Sequence, residues 1–328
     1  MAFILQRLKL PLPLRLDHIN AYLVAGPGGH ALIDTGMATP DGQQALEDAL
    51  RAHGVEPAGL RQLFITHYHG DHWGHAAWLR SLGVEVVMPR RDSELLQAWL
   101  AHPEHDERSV STFLRRGVPA GVLRRAARAL VSMRRLSPPF QTDRTVEDGE
   151  VLELGGEPFE VVVTPGHSPG HACLLHRPSR ELICGDHVLP HITPNVSFEL
   201  GAAENPLADY RASLRRVRGL GLERAWPAHG EPMTDLDARV TELLAHHEER
   251  EALLLRGLAG EPRTAYELAG HLFELPRLDS WETWMALGET MAHVVAAQAR
   301  GRLRLLVGED GIERYLIAGP DAARGATC

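Results

Sequence analysis

Short apolar runs separated by Gly- and Pro-rich turns open the chain. INAYLVA (19–25) and HALIDTG (30–36) flank GPGG, a strand–turn–strand signal. DGQQALEDALRAHGV (41–55) has the periodicity of an amphipathic helix closed by Gly54. RQLFITH (61–67) is a short apolar strand, WGHAAWLRSLG (73–83) a helix and VEVVMP (84–89) another strand. This alternation predicts an α/β domain whose chemistry sits on loops after strands. Residues 91–140 read instead as a helical, arginine-rich insertion. Strand signals return at EVLELGG, FEVVVTPGH, HACLLH and ELICGD, the second half of a sandwich. AENPLADYRASLRRVRGLG (203–221) reads as a helix, and ERAWPAHG (223–230) as a last strand and loop.

The pattern changes from Asp237. A long helix begins there, TAYELAGHLF opens with a capping-box pair (Thr264, Glu267), and SWETWMALGETMAHVVAAQARG is a further helix. RLRLLV–GEDG–IERYLIA reads as a hairpin. Three helices and a hairpin form a winged-helix-like pattern. The expected division is a catalytic domain over 1–237 and a smaller C-terminal domain over 238–328.

Composition narrows the classes. Of 328 residues, 44% are apolar and 23% charged, ordinary for a globular protein, and the net charge of −9 gives no general attraction for nucleic acid or anionic membrane. The N-terminal run is broken by Arg7, Lys9, Pro11 and Pro13, and no stretch approaches the length of a membrane span. Cys173, Cys184 and Cys328 lack CxxC spacing, so neither a disulfide framework nor a thiolate zinc site is indicated, and a cytoplasmic protein is the default expectation. Nineteen histidines are the outlier.

ITHYHGDHWGH (65–75) concentrates four of them with one aspartate. Imidazole and carboxylate suit zinc and related divalent ions. His67 and His69 alternate along a strand end and can face one point, while Asp71 and His72 follow as the chain turns and can reach a second. Later stretches each place one ligand-type residue at a strand end: His167 in TPGHSPGH, Asp186 in LICGDHV and His229 in WPAHG.

Through THYHGDH, PGHSPGH, CGDHV and PAHG in that order, with DTG at 34–36, residues 15–235 resemble the metallo-β-lactamase superfamily. The resemblance implies a four-layer αββα sandwich and two divalent metal ions, zinc first, with iron or manganese as alternatives. It implies His67, His69 and His167 on one metal, Asp71, His72 and His229 on the other, Asp186 bridging them, and Asp34 orienting a ligand imidazole. The mechanism it implies is a hydroxide held between the two cations, with Asp71 or a metal-bound water passing a proton to the leaving group. Some true β-lactamases use a cysteine where Asp71 stands, which points away from antibiotic hydrolysis. PHITPNVS, ENPLADY and HHEER look like segments of bacterial hydrolases of this fold that carry an added C-terminal helical domain. Glyoxalase II-like thioesterases and lactonases share the ligand set, so the expected reaction is hydrolysis of an ester, thioester or lactone.

His171, His187 and His191 are candidate substrate contacts, weighed against ordinary polar loop positions. His75 reads as helical surface or as a support to the site. His246 and His247 read as solvated, and the Glu289–His293 pair as a structural hydrogen bond rather than a ligand pair. The stretch 113–136, with Arg115, Arg116, Arg124, Arg125, Arg128, Arg134 and Arg135 and no acid, is either a solvated helix or a lid for an anionic substrate, with membrane association a weaker third reading. A small-molecule substrate and a homodimer are the expected partners. Residues 238–318 carry nine arginines against thirteen acids, and the third helix of that region has only Arg300 as a base, so no nucleic-acid partner is expected. A nuclease of the same superfamily is the main rival, but it would need a basic groove for the phosphate backbone, and the charge balance outside 113–136 argues against one. A di-iron redox protein is the second, but 238–328 shows no flavin-binding pattern.

Overall fold

The computed structural model describes residues 4–101, 105–199 and 201–319. The chain forms two compact units, one of Met1–Ala101, Ser132–Pro194 and Ser213–Val240, the other of His102–Val131, Asn195–Ala212 and Thr241–Cys328.

The first unit holds two β-sheets. Strands β1 (Ile4–Pro11), β2 (His18–Gly26) and β3 (Gly29–Ile33) form an antiparallel meander. Helix α1 (Pro40–Ala52) follows, its N-terminus capped by the Thr39 hydroxyl, which accepts from the Gly42 N–H at 2.9 Å. Next come β4 (Leu60–Phe64), the single turn α2 (Gly70–Trp73), α3 (Ala76–Ser81), β5 (Glu85–Pro89) and α4 (Arg90–Ala101). The arginine-rich stretch forms α5 (His105–Arg115) and α6 (Ala120–Arg134), after which β6 (Arg144–Val146) joins β5 in parallel. The sheet order is β1-β2-β3-β4-β5-β6. The second sheet takes β7 (Val151–Leu154), β8 (Glu157–Val163), β9 (Ala172–His176) and β10 (Glu181–Gly185) in antiparallel succession. After α7 (Pro206–Val217), β11 (Arg224–Pro227) pairs in parallel with β10.

Alternation along the strands explains the layering. On β2, Tyr22 and Val24 join Phe64, Val87, Phe159, Val161 and Leu174 in a core between the sheets. Their neighbours Ala21 and Leu23 turn the other way, to Leu46 and Leu50 of α1, Leu79 of α3 and Leu96 of α4. A sheet buried on both faces needs near-continuous apolar strands, as its sequence has. Each fully buried leucine-sized side chain contributes about 1.5–3 kcal/mol. At one end the sheets are tied together: Ala172 N–H donates to the Thr66 carbonyl at 3.0 Å, and Asn20 N–H to the Ala228 carbonyl at 2.6 Å.

The second unit contains α5, α6 as far as Val131, and three helices followed by a hairpin: α8 (Leu236–Arg256, entering this unit at Thr241), α9 (Ala265–Leu272), α10 (Ser280–Ala299), β12 (Leu303–Val307) and β13 (Glu313–Ile317). Both α9 and α10 start with a capping box, Thr264 with Glu267 and Asp279 with Glu282. Residues 102–131 and 195–212 group here rather than with the segment 1–237. The reason is packing: Phe113, Val118 and Leu123 share one apolar core with Leu254, Leu268, Leu287 and Met291. Arg124, Arg125 and Arg128 of α6 are exposed.

Two histidines of this unit depart from the sequence reading. His247, read as solvated, is fully buried, because α8 packs on α10 and sets it 3.5 Å from His293. Burial pushes His247 down to about 3 and His293 to about 2, helped by the nearby cations of Arg211 and Arg250. Glu289 engages Asn195 rather than His293 and is pushed up to about 7 by burial. Both imidazoles therefore enter the fold neutral. Their stability contribution is fully present above the unfolded value near 6.5 and is lost as pH falls below it. Unfolding then takes up two protons between about pH 6 and 4, a slope of about 2.7 kcal/mol per pH unit. Glu289 opposes this by one proton down to its unfolded value of 4.5. In urea titrations, His293→Gln should flatten the slope by about 1.4 kcal/mol per pH unit relative to the parent. An unchanged slope would show that His293 is already charged in the fold.

Candidate metal centre

The carboxyl ends of the strands converge on one point, the usual place for a site in an α/β sheet. β3 delivers Asp34, β4 delivers the loop from Thr66 to His72, β8 delivers His167, β10 delivers Asp186 and β11 delivers His229. Asp34 sits at φ +60°, a left-handed conformation that aspartate tolerates better than most residues. Gly185, at φ +50°, must be glycine for a second reason: a Cβ there would lie 2.6 Å from His171 Nε2.

All seven ligand-type residues picked from the sequence come together. His67 Nε2, His69 Nδ1 and His167 Nε2 form a triangle with sides of 3.0, 2.8 and 3.1 Å. Around the second group, His229 Nε2 lies 3.4 Å from Asp71 Oδ2, and His72 Nε2 lies 3.8 Å from the same oxygen. Asp186 faces both groups. Its Oδ2 is 3.4 Å from His167 and 3.6 Å from His72, and its Oδ1 is 3.4 Å from His229.

The atoms behind the ligands set which nitrogen looks inward. Asp34 accepts from Thr66 N–H at 2.9 Å, from the Thr66 hydroxyl at 2.9 Å and from His72 Nδ1 at 2.8 Å. The Thr66 oxygen in turn accepts from His67 Nδ1 at 3.0 Å, and the His18 carbonyl accepts from His229 Nδ1 at 2.9 Å. In the neutral ring, each of these histidine contacts puts the proton on Nδ1 and leaves the lone pair on Nε2, turned towards the centre. Thr66 has no role in the sequence reading; its position next to the first ligand was the available signal.

Electrostatics divides the two groups. Burial holds His67 and His69 below the usual imidazole range, and for His67 the neighbouring rings add to the effect. Burial opposes charge on Asp71 and His229 as well, but there the partners win. His72 and His229 hold Asp71 at about 2, while Asp186 and Asp71 raise His229 to about 10.

This donor set fits divalent cations. Three ring nitrogens cannot alternate donor and acceptor around a triangle, so the cluster is unsatisfied by hydrogen bonds alone. A tetrahedral ion with bonds of about 2.0–2.1 Å spaces its ligand atoms by about 3.3 Å, close to the triangle seen. His72 Nε2 and Asp186 Oδ1, both buried and pointing inward, have no hydrogen-bond partner. Three overlapping groups have metal-ligand spacing: His67, His69, His167; His67, His72, Asp186; and Asp71, His72, His229.

The remaining candidates separate by burial. His171 is fully buried and both its nitrogens are engaged: Nδ1 with the Thr164 hydroxyl at 2.8 Å, and Nε2 accepting from Asp186 N–H at 3.1 Å. It holds the Asp186 turn and has no free nitrogen for a substrate. His187 is fully buried too and is pushed down to about 3, whereas His191 is exposed. His75 is buried rather than on a helix surface, because α3 packs it against α1, and its value falls to about 4. Tyr68 packs against the core beneath α3. Cys173 and Cys184 are buried thiols pushed upward by desolvation, Cys173 to about 12.

Residues 14–229 match the Metallo-beta-lactamase superfamily, and residues 252–318 match the Metallo-beta-lactamase-like, C-terminal domain. The chain belongs to the metallo-β-lactamase superfamily. A metallo-β-lactamase family protein from Thermus thermophilus superposes with a TM-score of 0.85 at 34% identity, covering 95% of this chain and 98% of that one. "Probable metallo-hydrolase YqjP" of Bacillus subtilis (strain 168) is 28% identical over 302 residues, 89% of this chain and 91% of that protein. "Atrochrysone carboxyl ACP thioesterase dmxR1" of Cryptosporiopsis sp. is 26% identical over 243 residues, 74% of this chain and 58% of that protein. The two stacked sheets with helices outside them are thus the metallo-β-lactamase fold, and the chain falls among metallo-hydrolases. Among the described residues no helix is long and apolar enough to cross a membrane.

Proposed function

We propose that the chain is a di-zinc hydrolase that cleaves an ester, thioester or lactone in a small anionic substrate. The observation that carries this reading is the Asp186 carboxylate, which faces His167 and His72 with one oxygen and His229 with the other. His67, His69 and His167 would hold one ion, Asp71, His72 and His229 the second, with Asp186 shared. When bound, the two cations supply Lewis acidity and a water whose pKa is lowered towards neutral. Zinc suits an all-nitrogen-and-oxygen set of neutral imidazoles and carboxylates.

The chain's own groups supply the rest. Of the two carboxylates among the seven, Asp71 is the more solvent-facing, with 18% of its side chain exposed against 10% for Asp186, and is ionised in the fold. It takes the proton of the attacking water and returns it to the leaving oxygen or sulfur. His171 keeps the Asp186 turn in register, and Asp34 keeps His72 and Thr66 aligned. The thioesterase-named relative supports thioester cleavage, and the acid-free run of seven arginines at 113–136 in the sequence is the support for an anionic substrate.

Metal analysis of purified protein should give close to two ions per chain, and exhaustive chelation should abolish hydrolysis until zinc is returned. A metal-free protein that still turns over substrate would end the proposal. A screen of thioesters, lactones, carboxylic esters, phosphodiesters and RNA, with Asp186→Ala as the blank, identifies the bond. Turnover confined to phosphodiesters or RNA would replace this reading with the nuclease one.

A further inference from the structure

Asp92, in the first turn of α4, is fully buried and belongs to neither ligand group. Its Oδ2 accepts from Tyr68 N–H at 3.1 Å and from the Ser168 hydroxyl at 2.5 Å, and its Oδ1 accepts from Gly170 N–H at 2.5 Å. Tyr68 stands between His67 and His69, and Ser168 follows His167. One carboxylate therefore grips two loops that lie about a hundred residues apart in sequence and together carry the three-histidine triangle. The approach is open only because residue 170 has no side chain: a Cβ there would sit 2.5 Å from Asp92 N and 2.7 Å from Asp92 Oδ1. Three donors converging on a buried carboxylate also make the grip specific. An amide of the same shape would turn an N–H₂ towards one of them.

We propose that Asp92 is a positioning residue that sets the spacing of His67, His69 and His167. It thereby controls cation affinity in that half of the centre in preference to the half built from Asp71, His72 and His229. The inference rests on the reading that these residues hold metal. Removing a partner one step outside the ligands typically weakens metal binding by about 10–100-fold. Here the loss falls on one ion of the pair.

The test is zinc titration of metal-free parent, Asp92→Asn and Ser168→Ala against a chromophoric chelator, with circular dichroism and melting of the metal-free proteins alongside. The parent binds two ions. Folded Asp92→Asn binds one of them about 10–100-fold more weakly and the other within about threefold of the parent. Asp71→Ala identifies the ion affected: it leaves the three-histidine position to bind alone, and adding Asp92→Asn weakens that remaining ion by the same factor. Where Asp92→Asn does not fold, Ser168→Ala carries the test, since it deletes the hydroxyl bond to Asp92 and should weaken the same ion by about a third to a half of that effect on a logarithmic scale. A folded variant with parental affinity for both ions, an equal loss at both, or a lower melting temperature alone overturns the inference and leaves the metal centre standing. A parent that binds no zinc overturns the metal reading and the inference together.

Discussion

Asp186→Ala is expected to cut turnover about a thousandfold while leaving the fold in place. The side chain projects from the end of β10, and the turn that carries it is held by backbone and by His171, so its removal costs little packing. Its loss removes the group that faces both halves of the centre. One oxygen is 3.4 Å from His167 and 3.6 Å from His72, the other 3.4 Å from His229. Without it His229 keeps Asp71 as its carboxylate neighbour, and on the proposed di-metal reading a second ion would lose a ligand and the two ions would lose their link. Losing one cation's Lewis acidity is worth several kcal/mol, and about 4 kcal/mol is three powers of ten in rate. Metal content should fall towards one ion per chain. Asp186→Asn, which keeps the shape and loses the charge, should fall between. An alanine variant within about tenfold of the parent, still binding two ions, would remove Asp186 from the centre.

The seven ligand-type residues were legible because each is local. Every one follows an apolar strand within a few residues, and a strand end points its next side chain in a direction that alternation predicts. Of the supports behind them, Asp34 was legible through DTG, and its contact with His72 is as expected; Asp92 and Thr66 were not. Asp92 reads in sequence as an ordinary acid in the first turn of a helix, yet its partners lie 24, 76 and 78 residues away. His171, four residues after His167, reads in sequence as a candidate substrate contact, and only its hydrogen bonds in the fold show that its nitrogens are spent on Thr164 and Asp186. Sheet order was hidden for a similar reason. Strand β6 is three residues long and pairs with β5 across more than fifty residues of mostly helical chain, so nothing local marks it. The arginine stretch was legible as helix, but its partners were not: Phe113, Val118 and Leu123 pack on residues more than a hundred positions later.

A charge buried in the second unit gives the largest expected loss of stability. Glu251, on α8, is 2% exposed and accepts from Arg211 at 3.2 and 3.3 Å, from Arg300 at 3.0 Å and from Arg302 at 2.9 Å. Arg300 and Arg302 are about half exposed and can turn to water, so their bonds are worth little individually. Arg211 cannot. Its side chain is 3% exposed, and it also donates to the His247 carbonyl at 3.0 Å, a neutral acceptor that carries no counter-charge. Burial already pushes its value below the usual guanidinium range. Glu251→Ala leaves that charge enclosed without its carboxylate, and such a deletion costs about 3–5 kcal/mol. Arg300→Ala and Arg302→Ala should each cost about 1 kcal/mol or less. Pairing Glu251→Leu with Arg211→Met removes both charges at similar volume and should recover most of the loss, because the desolvation cost disappears along with the attraction. Urea unfolding of the parent and these four variants decides it. If Glu251→Ala costs no more than the two exposed arginines do, water reaches Arg211 and the buried pair is not what orders this unit.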